Sequence, residues 1–221
     1  MLLFTRADGQ VPFPPVIIHQ GSKTTADMVF GVPSTWIVHN TPSGYIDRDG
    51  WFKAINAFAA QFGNNPLNWQ FLFFDGYDAH FDCDAFSYCE QKCVANFILK
   101  SGDSTGDQPN DNGSNALLKT CYNKALAEWR NKWPGKNLSK PHFNMILVNA
   151  YSAFKESCAR TIKNSFRITR LLPLLPPDKP EKDDKTTTEN AASGACLAIG
   201  NCKGNRGKQA QSRFDIWNLG N

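Results

Sequence analysis

The seven residues WQFLFFD, Trp69 to Asp75, constrain this chain more than any other stretch. Apolar side chains fill the run without alternating. A half-exposed strand would show a polar residue at every second position, and a surface helix would space its apolar residues by three and four. A short unbroken run instead predicts a strand covered on both faces. It stops abruptly at Asp75-Gly76, and Asp78, Asp82 and Asp84 follow. An aspartate at such a place reads in two ways. It is the opening residue of a turn, or it is a hard-oxygen ligand for a divalent cation at the rim of a sheet.

The rest of the chain supplies the context. In VPFPPVIIHQG the β-branched residues Val16 to Ile18 predict a strand closed by Gly21, and three preceding prolines argue for an edge position or an irregular entry. A second short strand is predicted around Trp36 to Val38, ended by Pro42, Ser43 and Gly44. Trp51, Phe52, Ile55, Phe58, Ala59 and Phe62 recur at helical spacing, with Asp47 or Asp49 to cap the helix and Gly63 to stop it. DAFSYCEQKCVANF predicts another helix with Phe86, Cys89, Val94 and Phe97 inward, and FILK a short buried strand. The turn-rich loop SGDSTGDQPNDNG leads into an amphipathic helix carrying Leu117, Leu118, Cys121, Tyr122, Leu126 and Trp129, capped by Ser114 or Asn112. One or two more helices are predicted over 141–168. From about residue 176 to 221 the composition shifts to Lys, Thr, Asn, Gly and Ala, which predicts a disordered basic tail. Strands alternating with helices define an α/β class. In open α/β sheets, functional side chains gather beyond the strand ends.

Composition narrows the function classes only modestly. The 221 residues carry 24 basic and 20 acidic side chains, a net charge of +4 that is mildly compatible with nucleic acid. Seven cysteines without regular spacing argue against a secreted disulfide framework. MLLFTRADGQ does not read as a leader, and no run approaches a membrane span, so a soluble intracellular chain is expected. His80, Cys83, Cys89 and Cys93 match no standard zinc spacing. The acids after Asp75 lack the glycine and final glutamate of a calcium loop. There is no phosphate-binding glycine loop and no nucleophile elbow. Asp75 and Asp111 remain as candidates, because metal-assisted phosphoryl transfer needs clustered carboxylates. On residue pattern alone, a turn at Asp75 and a helix start at Asp111 are the favoured readings.

The order of segments resembles the DDE superfamily endonuclease domain of pogo-type transposases, the group that includes jerky-like proteins and centromere protein B. ADGQVPFPPVIIHQGSK is similar to that family's proline-bearing strand with its closing Gly-Lys. STWIVHNTPSGYIDRDGWFKAINAFAAQF is similar to its Ser-Gly-aromatic element and the helix after it. FLFFDGYDAHFD resembles its strand ending in Asp-Asn-His-x-Ser-His, DQPNDNGSNALLKTCYNKALAEW its Gln-Pro-Leu-Asp-x-Gly run, and NSFRITRLLPLLP its closing Gly-Phe-x-x-x-Gly-hydrophobic-Pro segment. The resemblance covers about residues 1–175.

It implies a ribonuclease H-like mixed sheet flanked by helices, incomplete here, followed by the tail 176–221. It also implies Asp75 and Asp111 as the second and third catalytic acids, ligands of Mg²⁺ or Mn²⁺, with His80 as the second histidine of the strand-end motif, supporting them. The implied partner is DNA, with no membrane, and the implied compartment is the nucleus. Three departures stand out. The family's first catalytic aspartate lies upstream of the matched segments, Gly76 stands where the family has Asn, and SGDSTGD replaces its His-Thr-Thr-His. The expectation is therefore a transposase-derived domain with little or no endonuclease activity as given. The alternative is a non-catalytic domesticated domain that binds nucleic acid or protein.

Overall fold

Pro12, Pro14 and Pro15 precede β1 (Val16–Gln20) as an irregular entry that offers no N–H groups of its own. One residue further, Val16 exchanges both main-chain hydrogen bonds with Leu2 in an antiparallel bridge, at 2.9 and 3.1 Å. On its other side β1 runs parallel to β2 (Ile37–Thr41), in the register Val16 to Ile37 through Gln20 to Thr41. The computed structural model describes residues 1–99 and 108–171. These lie in one unit, Met1–Leu175; the second unit, Pro176–Asn221, and with it the expected tail, is outside the described residues.

Parallel neighbours need a crossover. The first is short and contains α1 (Ala26–Val29). After β2 comes α2 (Arg48–Phe62), then β3 (Gln70–Asp75), a 3₁₀ turn at Asp78–His80, α3 (Cys83–Gln91) and β4 (Val94–Leu99). β3 and β4 are again parallel, Gln70 against Val94 through Asp75 against Leu99. A wide turn at Asn110–Ser114 opens α4 (Asn115–Lys132), followed by α5 (Lys140–Ser157) and α6 (Ala159–Ile168). The class is α/β, with two parallel strand pairs and flanking helices. Among the described residues the pairs form separate ladders.

Both pairs nevertheless cover the same core. Val16, Phe74 and Val94 meet Trp51, Ala54, Ile55, Phe58 and Ala59 of α2 and Ala85 and Cys89 of α3. Phe4 and Phe13 join them, Phe4 lying 5.5 Å from Phe58 and 4.9 Å from Phe13 between ring centroids. A second core gathers Leu118, Tyr151, Phe154, Ile162 and Phe166 from α4, α5 and α6, with Cys158 at the α5–α6 junction, around Val11.

Local chemistry explains the element ends. Asp47 caps α2, accepting from the Gly50 amide and from His39 Nε2, both at 2.8 Å. A Cβ on Gly50 would sit 2.5 Å from the His39 ring, so this glycine is kept inside a helix where it ordinarily costs about 1 kcal/mol. Asn144 is fully buried, and its amide donates to the carbonyls of Met28 and Phe30, both at 3.0 Å, docking α1 on α5.

Two expectations need correction. β3 and β4 are not covered on both faces, since Phe71 is 62% exposed and Phe97 and Ile98 are 42% exposed. Among the described residues, α2 and α3 pack on the face of this ladder that carries Phe74 and Val94. The second helix stops at Gln91 instead of continuing through Phe97, because Cys93 adopts a left-handed conformation (φ 60°) that turns the chain into β4.

Burial, followed by the charge of Lys140, lowers the pKa of His19 below the ordinary histidine value. Between the folded and the ordinary value the unfolded chain binds more protons. Stability should therefore rise with pH up to about 6.5 and level off above it. Urea unfolding at several pH values measures this, and a flat profile across that range would contradict the burial of His19.

Candidate functional site

β3 delivers Asp75 to its C-terminal end, and the 3₁₀ turn brings His80 back onto it. His80 Nδ1 donates to the Asp75 main-chain oxygen at 3.1 Å and lies 2.6 Å from Asp75 Oδ1. The second approach is a close polar contact, off the direction of a hydrogen bond, and Oδ1 is buried without a directed donor among the described residues. The imidazole is 6% exposed and lies against the Trp51 ring at 4.0 Å, with Phe74 and Tyr77 at its edges. Trp51 is on the buried face of α2. The core thus fixes the histidine, and the histidine fixes the aspartate.

Asp111 arises differently. It sits on the turn Asn110–Ser114, where Asn112 and Gly113 leave helical geometry and Gly113 takes φ 140°. Only glycine adopts that conformation cheaply. Three contacts hold the turn. The Asn110 side-chain amide donates to Leu3 O at 2.9 Å, and its oxygen accepts from Thr5 Oγ1 at 2.7 Å. From the other side, Ser165 Oγ of α6 donates to Asn112 O at 3.1 Å. Asn115 donates to the Asp111 carboxylate at 2.9 Å.

The two carboxylates, 36 positions apart in the chain, feel each other. Asp111 is solvent-exposed as a residue, yet protein surrounds its carboxyl closely enough that burial raises its pKa. The negative charge of Asp75 raises it further, against the opposing hydrogen bond from Asn115. Two hard-oxygen groups that repel each other at a strand end are a chemically suitable seat for a divalent cation, whose charge would relieve the repulsion. Among the described residues, no cluster of three or more His, Cys, Asp or Glu side chains is arranged to hold a metal.

The cysteines play other parts. Cys89 is fully buried in the first core, and Cys83 is exposed. The loop acids Asp103 and Asp107 lie outside the described residues. Sequence reasoning singled out neither Asn110 and Thr5, which hold the Asp111 turn, nor any link between Trp51 and His80. Trp51 was legible only as an inward helix residue, and Asn110 carries no pattern of its own.

No protein-family model, no curated protein and no solved structure matches the chain.

Asn110→Ala should leave the Leu3 carbonyl and Thr5 hydroxyl without partners, at a cost of about 1–3 kcal/mol. It should also let the turn drift from Asp75. Carboxyl-detected NMR titration should place Asp111 above ordinary carboxylates in the parent chain, and lower in both Asn110→Ala and Asp75→Asn. Identical Asp111 titration in all three would show that neither Asn110 nor Asp75 sets its charge state.

Proposed function

We propose that the chain is a transposase-derived DDE-type endonuclease domain with a ribonuclease H-like fold. In this reading it engages DNA in the nucleus through a divalent cation held by Asp75 and Asp111. The observation that carries this reading is the placement of Asp75 at the C-terminal end of β3, its carboxylate buried beside His80. The charge of Asp75 also adds to the burial that raises the pKa of Asp111, 36 positions on. The segments flanking each acid resemble those of the family, and the donor chemistry suits the ion. Mg²⁺ and Mn²⁺ prefer carboxylate oxygens. Asp75 is held at the strand end by His80, whose Nδ1 lies 2.6 Å from Oδ1, as a ligand carboxylate is held by its outer partner.

When bound, the cation would polarise a phosphodiester and lower the pKa of a coordinated water. The residues of the chain do the rest. His80 holds Asp75 from its inner side, and its stack on Trp51 prevents that carboxylate from turning away. Asn115 keeps the Asp111 carboxylate oriented. Outer partners of this kind commonly affect metal affinity by roughly 10–100-fold. These residues supply two of the three carboxylates the family uses, and what they support by themselves is binding of cation and DNA.

Calorimetric titration with Mn²⁺ tests the reading. Asp75→Asn and Asp111→Asn should each weaken binding at least tenfold, about 1.4 kcal/mol, and His80→Ala should weaken it less. Affinity should climb with pH through the raised pKa of Asp111, because a protonated ligand cannot bind. Equal Mn²⁺ affinity in the parent and both Asn variants would overturn the assignment. Robust metal-dependent nicking of supercoiled DNA, lost in Asp75→Ala, would show instead that the domain is a competent nuclease.

A further inference from the structure

The outer face of α6 carries a charge arrangement that neither the fold nor the carboxylate pair accounts for. Ile162, Ser165 and Phe166 are its buried residues. On the opposite side Arg160, Lys163, Asn164 and Arg167 are exposed and, with Thr161, line an open cleft of about 450 Å³. The three cations stand at positions i, i+3 and i+7, so they share one helix face over roughly 10 Å of axis. Asp8 is the acid whose charge Lys163 feels, and Arg6 is already paired with Asp8. None of the ion pairs among the described residues involves Arg160, Lys163 or Arg167. Three like charges on one short helix repel one another, and a polyanion relieves that repulsion.

The cleft is contiguous with the Asp111 turn. Thr161 lines it, and a Cβ built on Gly113 would lie 3.0 Å from Thr161 Cγ2. Ser165 of the same helix bonds Asn112. One short helix therefore carries the cations outward and braces the candidate metal ligand inward.

We propose that the α6 cleft is a phosphate-backbone binding site for duplex DNA, with Arg160, Lys163 and Arg167 each contacting a phosphate. Guanidinium groups suit this task through their paired N–H donors. A membrane surface fits less well. Ile162 and Phe166 of α6 are consumed by the second core, leaving Ile168 as its one exposed large apolar side chain, too little to insert between lipids. The assignment rests on the nucleic-acid reading above, and it adds where the duplex lies relative to the carboxylates.

The test uses the full 221-residue chain and a short labelled duplex of random sequence, in EDTA, over roughly 50–200 mM salt. EDTA removes any cation bridging Asp75 and Asp111 to phosphate, so the result does not depend on the metal assignment. The triple variant Arg160→Ala, Lys163→Ala, Arg167→Ala should bind at least tenfold more weakly. Its log–log salt slope should be shallower by roughly 2 to 3, close to one per lost phosphate contact. Lys119→Ala, Lys124→Ala, Lys132→Ala removes equal charge from exposed positions of α4 and should change the slope little. All six positions are exposed, and circular dichroism confirms folding of both variants. If both triples lose affinity equally, or neither does, the α6 site is refuted while the Mn²⁺ result above still stands. Binding to anionic phosphatidylserine vesicles without binding to duplex would refute it as well.

Discussion

The structure depends on the first five residues serving two cores at once. Leu2 and Phe4 face the core of α2 and the strands, while Met1 and Leu3 face the core of α4, α5 and α6. This is the two-residue alternation of an extended chain, here used as a partition between hydrophobic layers. The same segment pairs with Val16 through its backbone and bonds Asn110 through Leu3 O and Thr5 Oγ1. Displacing it would uncover both cores and loosen the turn that carries Asp111. Such coupling places a carboxylate over a hundred positions away under the control of a few apolar side chains.

The candidate site inherits its order from that arrangement. Asp75 is held by a buried histidine on a buried tryptophan, so its surroundings are as rigid as the first core. Asp111 is held by hydrogen bonds at a wide turn, gripped from the N-terminal segment on one side and α6 on the other. Burial first, and then the charge of Asp75, raise the pKa of Asp111 against the hydrogen bond from Asn115. The exposed cations of α6 stand on the helix whose Thr161 and Ser165 pack on this turn, which ties charge, ligand and scaffold into one short segment.

What could be read from the chain follows from which forces are local. The α2 helix was legible because Trp51, Ile55, Phe58 and Phe62 repeat at helical spacing and Asp47 caps it through a contact three residues away. Asp75 was legible as the end of β3 because its run is short, apolar and bounded by Gly76. The end of α3 was not, since Cys93 takes a left-handed turn without the glycine that usually announces one. The one-sided exposure of Phe71 and Phe97 was not either, because an unbroken apolar run says nothing of which layers arrive to cover it. The four-residue α1 helix lacked any periodic signal and is secured instead by Asn144, more than a hundred residues downstream.

By itself, then, the amino-acid sequence determined the α/β alternation and most helix boundaries, because propensity, capping and periodicity act within a few residues. Only the tertiary structure decided that the charge of Asp75 bears on Asp111, that His80 rests on Trp51, and that Asn110 reaches Leu3. It also decided that the basic side of α6 faces outward beside the Asp111 turn. Those outcomes depend on how separate layers pack against each other. Burial and electrostatics act through space, and no local pattern records which distant side chains they will bring together.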